Sequence, residues 1–133
     1  MREIIFRGKR ADNGEWVYGS LITERNMFDG NLMTMHIQDI EEPYDDNLID
    51  DETVGQYTGM TDKNGKKIFA GDIISTSSKL IGAVEWNDTF AKYIVCYNQI
   101  SGNWFDFEGE DCFSVALDCV IIGNIHDNPE LLK

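Results

Sequence analysis

Two Asn-Gly pairs set the terms on which this chain can fold. Asn13-Gly14 sits inside Phe6–Ile22, and Asn64-Gly65 inside Tyr57–Ile74, each between runs rich in β-branched and aromatic residues. Such a pair marks a tight hairpin, because a type I′ turn needs positive φ at both central residues. A third reversal falls at Asp29-Gly30, between Leu21–Phe28 and Leu32–Ile37. The apolar period is two, and no stretch keeps an i, i+3, i+4, i+7 stripe for three turns. The expected fold class is all-β.

The 133 residues suffice for one domain with a buried core. Acids outnumber bases 24 to 11, a net charge of −13, which argues against binding DNA, RNA or an anionic membrane through overall charge. No apolar run approaches the roughly 20 residues of a spanning helix. Charges interrupt Met1–Arg7 at every second or third position, unlike an export signal. Cys96, Cys112 and Cys119 are odd in number and widely spaced, which is no disulfide framework. The expected location is the cytoplasm, without membrane attachment.

One domain over 1–133 is expected, with three parts. Residues 1–38 read as N-terminal β-hairpins. Residues 39–52 hold eight carboxylates (Asp39, Glu41, Glu42, Asp45, Asp46, Asp50, Asp51 and Glu52) around Pro43, and read as a solvated acidic connector. Residues 53–133 read as a small SH3-like β-barrel, with strands at Asp72–Thr76, Ala83–Trp86, Lys92–Tyr97, Trp104–Phe107 and Cys119–Ile125. Closure would remove sheet edges that invite pairing. Asn128 and Pro129 open a short C-terminal helical turn as N-cap and first helical residue. A shift of 51 residues superposes Phe6, Gly8, Asn13, Gly14, Val17 and Tyr18 on Tyr57, Gly59, Asn64, Gly65, Ile68 and Phe69. The chain would then use one hairpin design twice.

Several blocks resemble the YopX family of phage and prophage proteins: Phe6-Arg7-Gly8-Lys9, Trp16-Val17-Tyr18-Gly19, Thr53–Gly59, Asp62-Lys63-Asn64-Gly65, Gly71-Asp72-Ile73-Ile74 and Ile122–Leu131. They span nearly the whole chain in order, while residues 23–52 and 77–118 carry none. The resemblance implies an all-β fold with an SH3-like barrel and a phage or prophage origin. It implies no known reaction, so it carries over no catalytic residues.

No catalytic, cofactor or metal site is expected. Asp62-Lys63-Asn64-Gly65 resembles the opening of a calcium loop but lacks its later ligands. His36 and His126 stand at no zinc spacing, and Cys112-x6-Cys119 is no knuckle. Asn13, Gly14, Asn64, Gly65, Gly71 and Asp72 read as structural turn residues, Asp72 accepting a turn amide. The aromatics exceed what a small barrel can hide. Trp16, Tyr18, Trp86, Tyr93, Trp104 and Phe107 therefore form the candidate interaction surface. Arg7, Lys9, Arg10, Lys63, Lys66 and Lys67 flank the two Asn-Gly turns as a candidate basic patch. The favoured function is a non-enzymatic interaction module that binds a protein partner or itself, as an oligomer. An acidic nucleic-acid mimic and weak single-stranded nucleic-acid binding by the barrel are the alternatives, with nucleic acid the less favoured partner.

Overall fold

The computed structural model describes residues 3–42, 46–77, 79–97, 104–106 and 119–132, with side chains left aside at 97 and 104–106. Eleven strands fall among the described residues: β1 Phe6–Lys9, β2 Trp16–Arg25, β3 Leu32–Asp39, β4 Asp46–Ile49, β5 Gly55–Thr61, β6 Lys67–Phe69, β7 Asp72–Ser75, β8 Ile81–Asn87, β9 Lys92–Tyr97, β10 Trp104–Asp106 and β11 Val120–Asn124. They form two antiparallel sheets, ordered β4-β3-β2-β1-β5-β6 and β10-β9-β8-β7-β11. The only helical elements among the described residues are 3₁₀ turns at Asp51–Thr53 and Pro129–Leu132. The all-β expectation holds. The barrel does not: β10 and β11 lie at opposite ends of the second sheet, and closure would need them to pair. Neither sheet closes into a barrel.

Two compact units divide within β5, at Met1–Tyr57 and Thr58–Lys133. In the first, alternation along β2 turns Val17 inward, where it is buried with Ile37 and Ile49, and Phe6, Leu21 and Val54 pack around them. Tyr18, Ser20 and Ile22 face outward. Residues 46–52 of the acidic segment build this unit and are no free connector. The Asp46–Ile49 stretch pairs with β3 through Met35↔Ile49 and Ile37↔Asn47. Asp50 caps the first 3₁₀ turn by accepting the Glu52 amide at 3.2 Å. Thr53 Oγ1 donates to the Asp50 carbonyl at 2.6 Å and accepts the Lys9 amide at 2.8 Å. A bridge between Arg10 and Ile49 ties β4 back toward the first hairpin. One apolar residue on the inward pleat, Ile49, anchors a strand that its carboxylates disguise.

The second unit buries Ile68, Ile74, Val84, Tyr93, Val95 and Cys119, with Met60, Ala70, Leu80 and Ile121 around them. The turn residues act as expected at Gly71, with φ of 95°, and at Asp72, whose Oδ2 accepts the Phe69 amide at 2.7 Å. Pro129–Leu132 follows Asn128, whose carbonyl accepts the Leu131 amide at 3.1 Å. The helical turn is present, wound as 3₁₀.

The hairpin turns differ from type I′. Gly14 and Gly65 have φ of 74° and 82°, but Asn13 and Asn64 do not enter the left-handed region. Around Asn64 the loop has three residues: the Asp62 amide donates to the Lys66 carbonyl at 2.8 Å and the Gly65 amide to the Asp62 carbonyl at 3.0 Å. Around Asn13 it has four. The Arg10 amide donates to the Glu15 carbonyl and the Gly14 amide to the Arg10 carbonyl, both at 2.9 Å. The two Asn-Gly hairpins are therefore not one design. The twin of the first is the turn at Asn26–Asn31, where Asn26 N donates to Asn31 O and Gly30 N to Asn26 O, both at 2.8 Å. In each, a single left-handed glycine ends the loop.

Gly19 has a different reason to be glycine. A Cβ there would collide with the Gln38 carbonyl oxygen, a backbone atom of β3 that cannot step aside. Gly14, by contrast, faces open space and needs only its positive φ. Gly19→Ala is expected to cost about 3 kcal/mol in urea unfolding, and Gly14→Ala about 1 kcal/mol. Equal losses would show that close approach is not what demands Gly19.

Candidate functional site

The outer face of β1 and β2 joins the first basic cluster to the first aromatics. Register sets Arg7 opposite Tyr18 and Lys9 opposite Trp16. The Arg7 guanidinium lies 4.8 Å from the Trp16 ring centre and Lys9 Nζ 5.5 Å from it, both over the ring. Arg7 is buried at 5% exposure, so it is no surface cation. Its long side chain lies along the sheet, where the ring covers the charge that spacing alone assigns to solvent. Arg10 is held by Asp12 at 2.9 and 3.1 Å, and the guanidinium keeps the Asp12 carboxyl below its ordinary range. Lys63, Lys66 and Lys67 are exposed on the second unit.

The aromatic candidates also separate. Tyr18 and Trp86 are exposed and Trp16 is half-buried. Tyr93 belongs to the core, because it shares a face of β9 with Val95 and meets Trp86 edge-on at 5.0 Å. The Trp104 side chain and Phe107 lie outside the described residues.

Apart from Tyr18, the exposed apolar residues of the β2–β3 ribbon are not among the sequence candidates. From Ile22 to Arg25 every residue of β2 is exposed, while the facing residues Leu32, Thr34, Met35 and His36 of β3 are half-buried. Tyr18, Ile22, Met33 and Ile40 are exposed apolar residues of this ribbon or its end, and Leu48 on β4 continues the outer face. At the tip, Met27 is 88% and Phe28 93% exposed. The tip is well fastened. Asn26 Oδ1 accepts the Phe28 amide at 2.8 Å, Asp29 Oδ1 accepts the Asn31 amide at 2.9 Å, and Arg25 Nη1 donates to the Gly30 carbonyl at 3.2 Å. Met27 and Phe28 break the alternating pattern within a turn, and that was the available signal.

The groups that could carry chemistry are engaged in structure. His36 Nδ1 lies 3.2 Å from Asp46 Oδ1 on β4, and its Nε2 lies 3.1 Å from Thr34 Oγ1. This has the order of an acid–base–hydroxyl relay. The Thr34 hydroxyl also donates to Glu24 at 3.1 Å, however, and one hydroxyl proton cannot serve both acceptors. The hydroxyl ties β3 to Glu24 of β2, while His36 Nδ1 lies beside Asp46 of β4 without a hydrogen bond. Cys96 donates to Glu85 Oε1 at 2.9 Å; burial and that carboxylate push its thiol up to about 12, the reverse of an activated nucleophile. An open depression of about 390 Å³ lies among Arg10, Asp12, Asp46 and Leu48. Its one cation, Arg10, is already clamped by Asp12. Among the described residues, no group of three or more His, Cys, Asp or Glu side chains could hold a metal ion, and no helix is long and apolar enough to cross a membrane.

Asp62 resolves the calcium-like motif. Its buried carboxylate accepts the Asn64 and Lys66 amides, each at 2.9 Å, and the Ile121 amide of β11 at 3.1 Å. The oxygens that a cation would need are bound to the backbone. Burial alone would raise the Asp62 pKa, but the three amides and Lys66 outweigh it and hold it below 3.8.

The family described as "YopX protein" matches residues 5–133. The chain belongs to the YopX family. The crystal structure of protein EF1440 from Enterococcus faecalis has a similar fold, with a TM-score of 0.61 and 20% identity, covering 100% of both chains. No curated protein matches the chain. Family membership agrees with the blocks at Trp16–Gly19, Asp62–Gly65 and Gly71–Ile74, which occupy a strand with a close approach and two buried-carboxylate turns.

Two outcomes follow for this YopX protein. The depressed Asp62 pKa means its contribution is full above the ordinary carboxylate range and is lost as pH falls through the lower folded value. Asp62→Asn should therefore cost about 1–3 kcal/mol near neutrality, with the gap to the native chain narrowing below about pH 4. A gap independent of pH would place the effect elsewhere than in the ionised carboxylate. In the native chain, peptide-resolved alkylation of Cys96 at neutral pH should run at least about 100-fold slower than in the unfolded chain. Glu85→Gln should speed it, and no change on that substitution would remove the carboxylate as a cause.

Proposed function

We propose that this chain is a non-enzymatic protein-interaction module of a phage or prophage, working through the β2–β3 ribbon. The observation that carries this reading is the run of exposed apolar side chains along the β2–β3 ribbon and its two ends: Tyr18, Ile22, Met27, Phe28, Met33 and Ile40. Exposed apolar groups concentrated in one region mark an association surface, whereas scattered ones need no explanation. The titratable groups described above are spent on caps, clasps and turns, which favours binding over catalysis.

The same accounting weighs against the two alternatives. An acidic nucleic-acid mimic needs a free row of carboxylates. Asp39 accepts the Glu41 amide at 2.7 Å, Asp50 caps a turn and Asp46 faces His36. A stacking platform for single strands needs open ring faces, and Arg7 and Lys9 already cover Trp16.

Photo-crosslinking residues placed at Ile22, Ile40 and, as a control on the second unit, Asn64 test the module. In host-cell extract the ribbon positions are expected to give one dominant adduct, with a second protein or with another copy of the chain, and position 64 none. Adducts spread evenly over abundant proteins from all three positions would overturn the reading.

A further inference from the structure

We infer that Met27 and Phe28 form a preorganised finger that inserts into an apolar pocket of a second, different protein, a pocket rimmed by basic side chains. The inference rests on the interaction-module reading and names the part of the ribbon that does the binding.

The two matching turns isolate what backbone geometry requires from what it does not. Arg10–Glu15 and Asn26–Asn31 share the same pair of closing hydrogen bonds and the same left-handed final glycine. The first carries Ala11-Asp12-Asn13 between its ends and the second Met27-Phe28-Asp29. Small and polar residues therefore suffice for the turn, and nothing in its construction calls for Met or Phe. Leaving both in water forgoes the burial free energy of two large apolar side chains. Met and Phe are residue types enriched where proteins meet.

The geometry selects the shape of the occupant. Two side chains at the end of a two-stranded ribbon make a convex point, which fits a pocket better than a flat face. Asn26, Asp29 and Arg25 fasten the loop through four hydrogen bonds to its backbone, so docking has the two side chains left to order but little backbone. Charge selects its chemistry. Glu24 and Asp29 flank the tip and outnumber its one cation, Arg25, which donates to the Gly30 carbonyl. A second copy would bring −13 against −13. An anionic membrane would meet the same repulsion, with no run of lysines to overcome it. A pocket with a basic rim suits both the tip and the body behind it.

The test uses the full chain with a photo-crosslinking residue at position 28 or, separately, at Ile40, in host-cell extract. Position 28 is expected to give a single adduct with a basic protein. Raising salt from about 50 to about 500 mM should lower its yield about tenfold. Excess native chain should compete it away, while excess M27S/F28S chain, matched to the native chain in thermal unfolding, should not. An adduct from position 40 that M27S/F28S competes as well as native chain does would overturn the finger and leave the module standing. Adducts from neither position would sink both. Co-sedimentation with phosphatidylcholine vesicles through Phe28, or a dimer crosslinked at position 28, would also overturn the finger.

Discussion

Side chains along β2 alternate between faces, so the pairs that join it to β3 must hold one alignment; a slip by a single residue would turn Val17 and Leu21 out and Tyr18 and Ile22 in. Three features pin that register. The glycine-ended turn at Asn26–Asn31 sets where the two strands begin to pair. Gly19 allows the Gln38 carbonyl to approach where any side chain would collide. The Thr34 hydroxyl links β3 to Glu24 of β2 across the outer face. The ribbon's exposed apolar residues, and with them the functional reading, follow from this alignment.

The high acid content takes on a structural meaning in this fold. Carboxylates and amide side chains at turns accept backbone amides that strands and 3₁₀ turns leave unpaired: Asp39, Asp50, Asp62, Asp72, Asn26 and Asn124 all do so. A buried amide without a partner costs about as much as a lost hydrogen bond. Part of the acid content therefore meets a need of an all-β chain with many reversals, while the net charge of −13 still acts on partners.

Much of the architecture was readable beforehand. Strands at 72–75, 81–87, 92–97 and 120–124 fall close to the expected ranges, because period-two alternation bounded by turn residues is a local property. Asp72 was assigned its role from Gly-Asp alone. Other features escaped. β4 was hidden by the carboxylates around Ile49, whose burial depends on Met35 lying opposite. The third amide that Asp62 accepts, from Ile121, is 59 residues away. Arg7 and Tyr93 were placed on the surface by residue type, and each is buried because its strand neighbours cover it. The turns depart from type I′ because Asn-Gly is compatible with several loops, and loop length depends on which flanking amides and carbonyls close it.

By itself, the sequence determined that this chain is sheet, where it reverses, which glycines need a left-handed backbone, and that it carries the motifs of its family; these are properties of residues and their near neighbours. The tertiary structure alone decided which strands pair, that neither sheet closes, which charges are buried, and that Met27 and Phe28 stand free on a fastened tip. Those outcomes depend on contacts between residues far apart in the chain, and burial belongs to the packed whole.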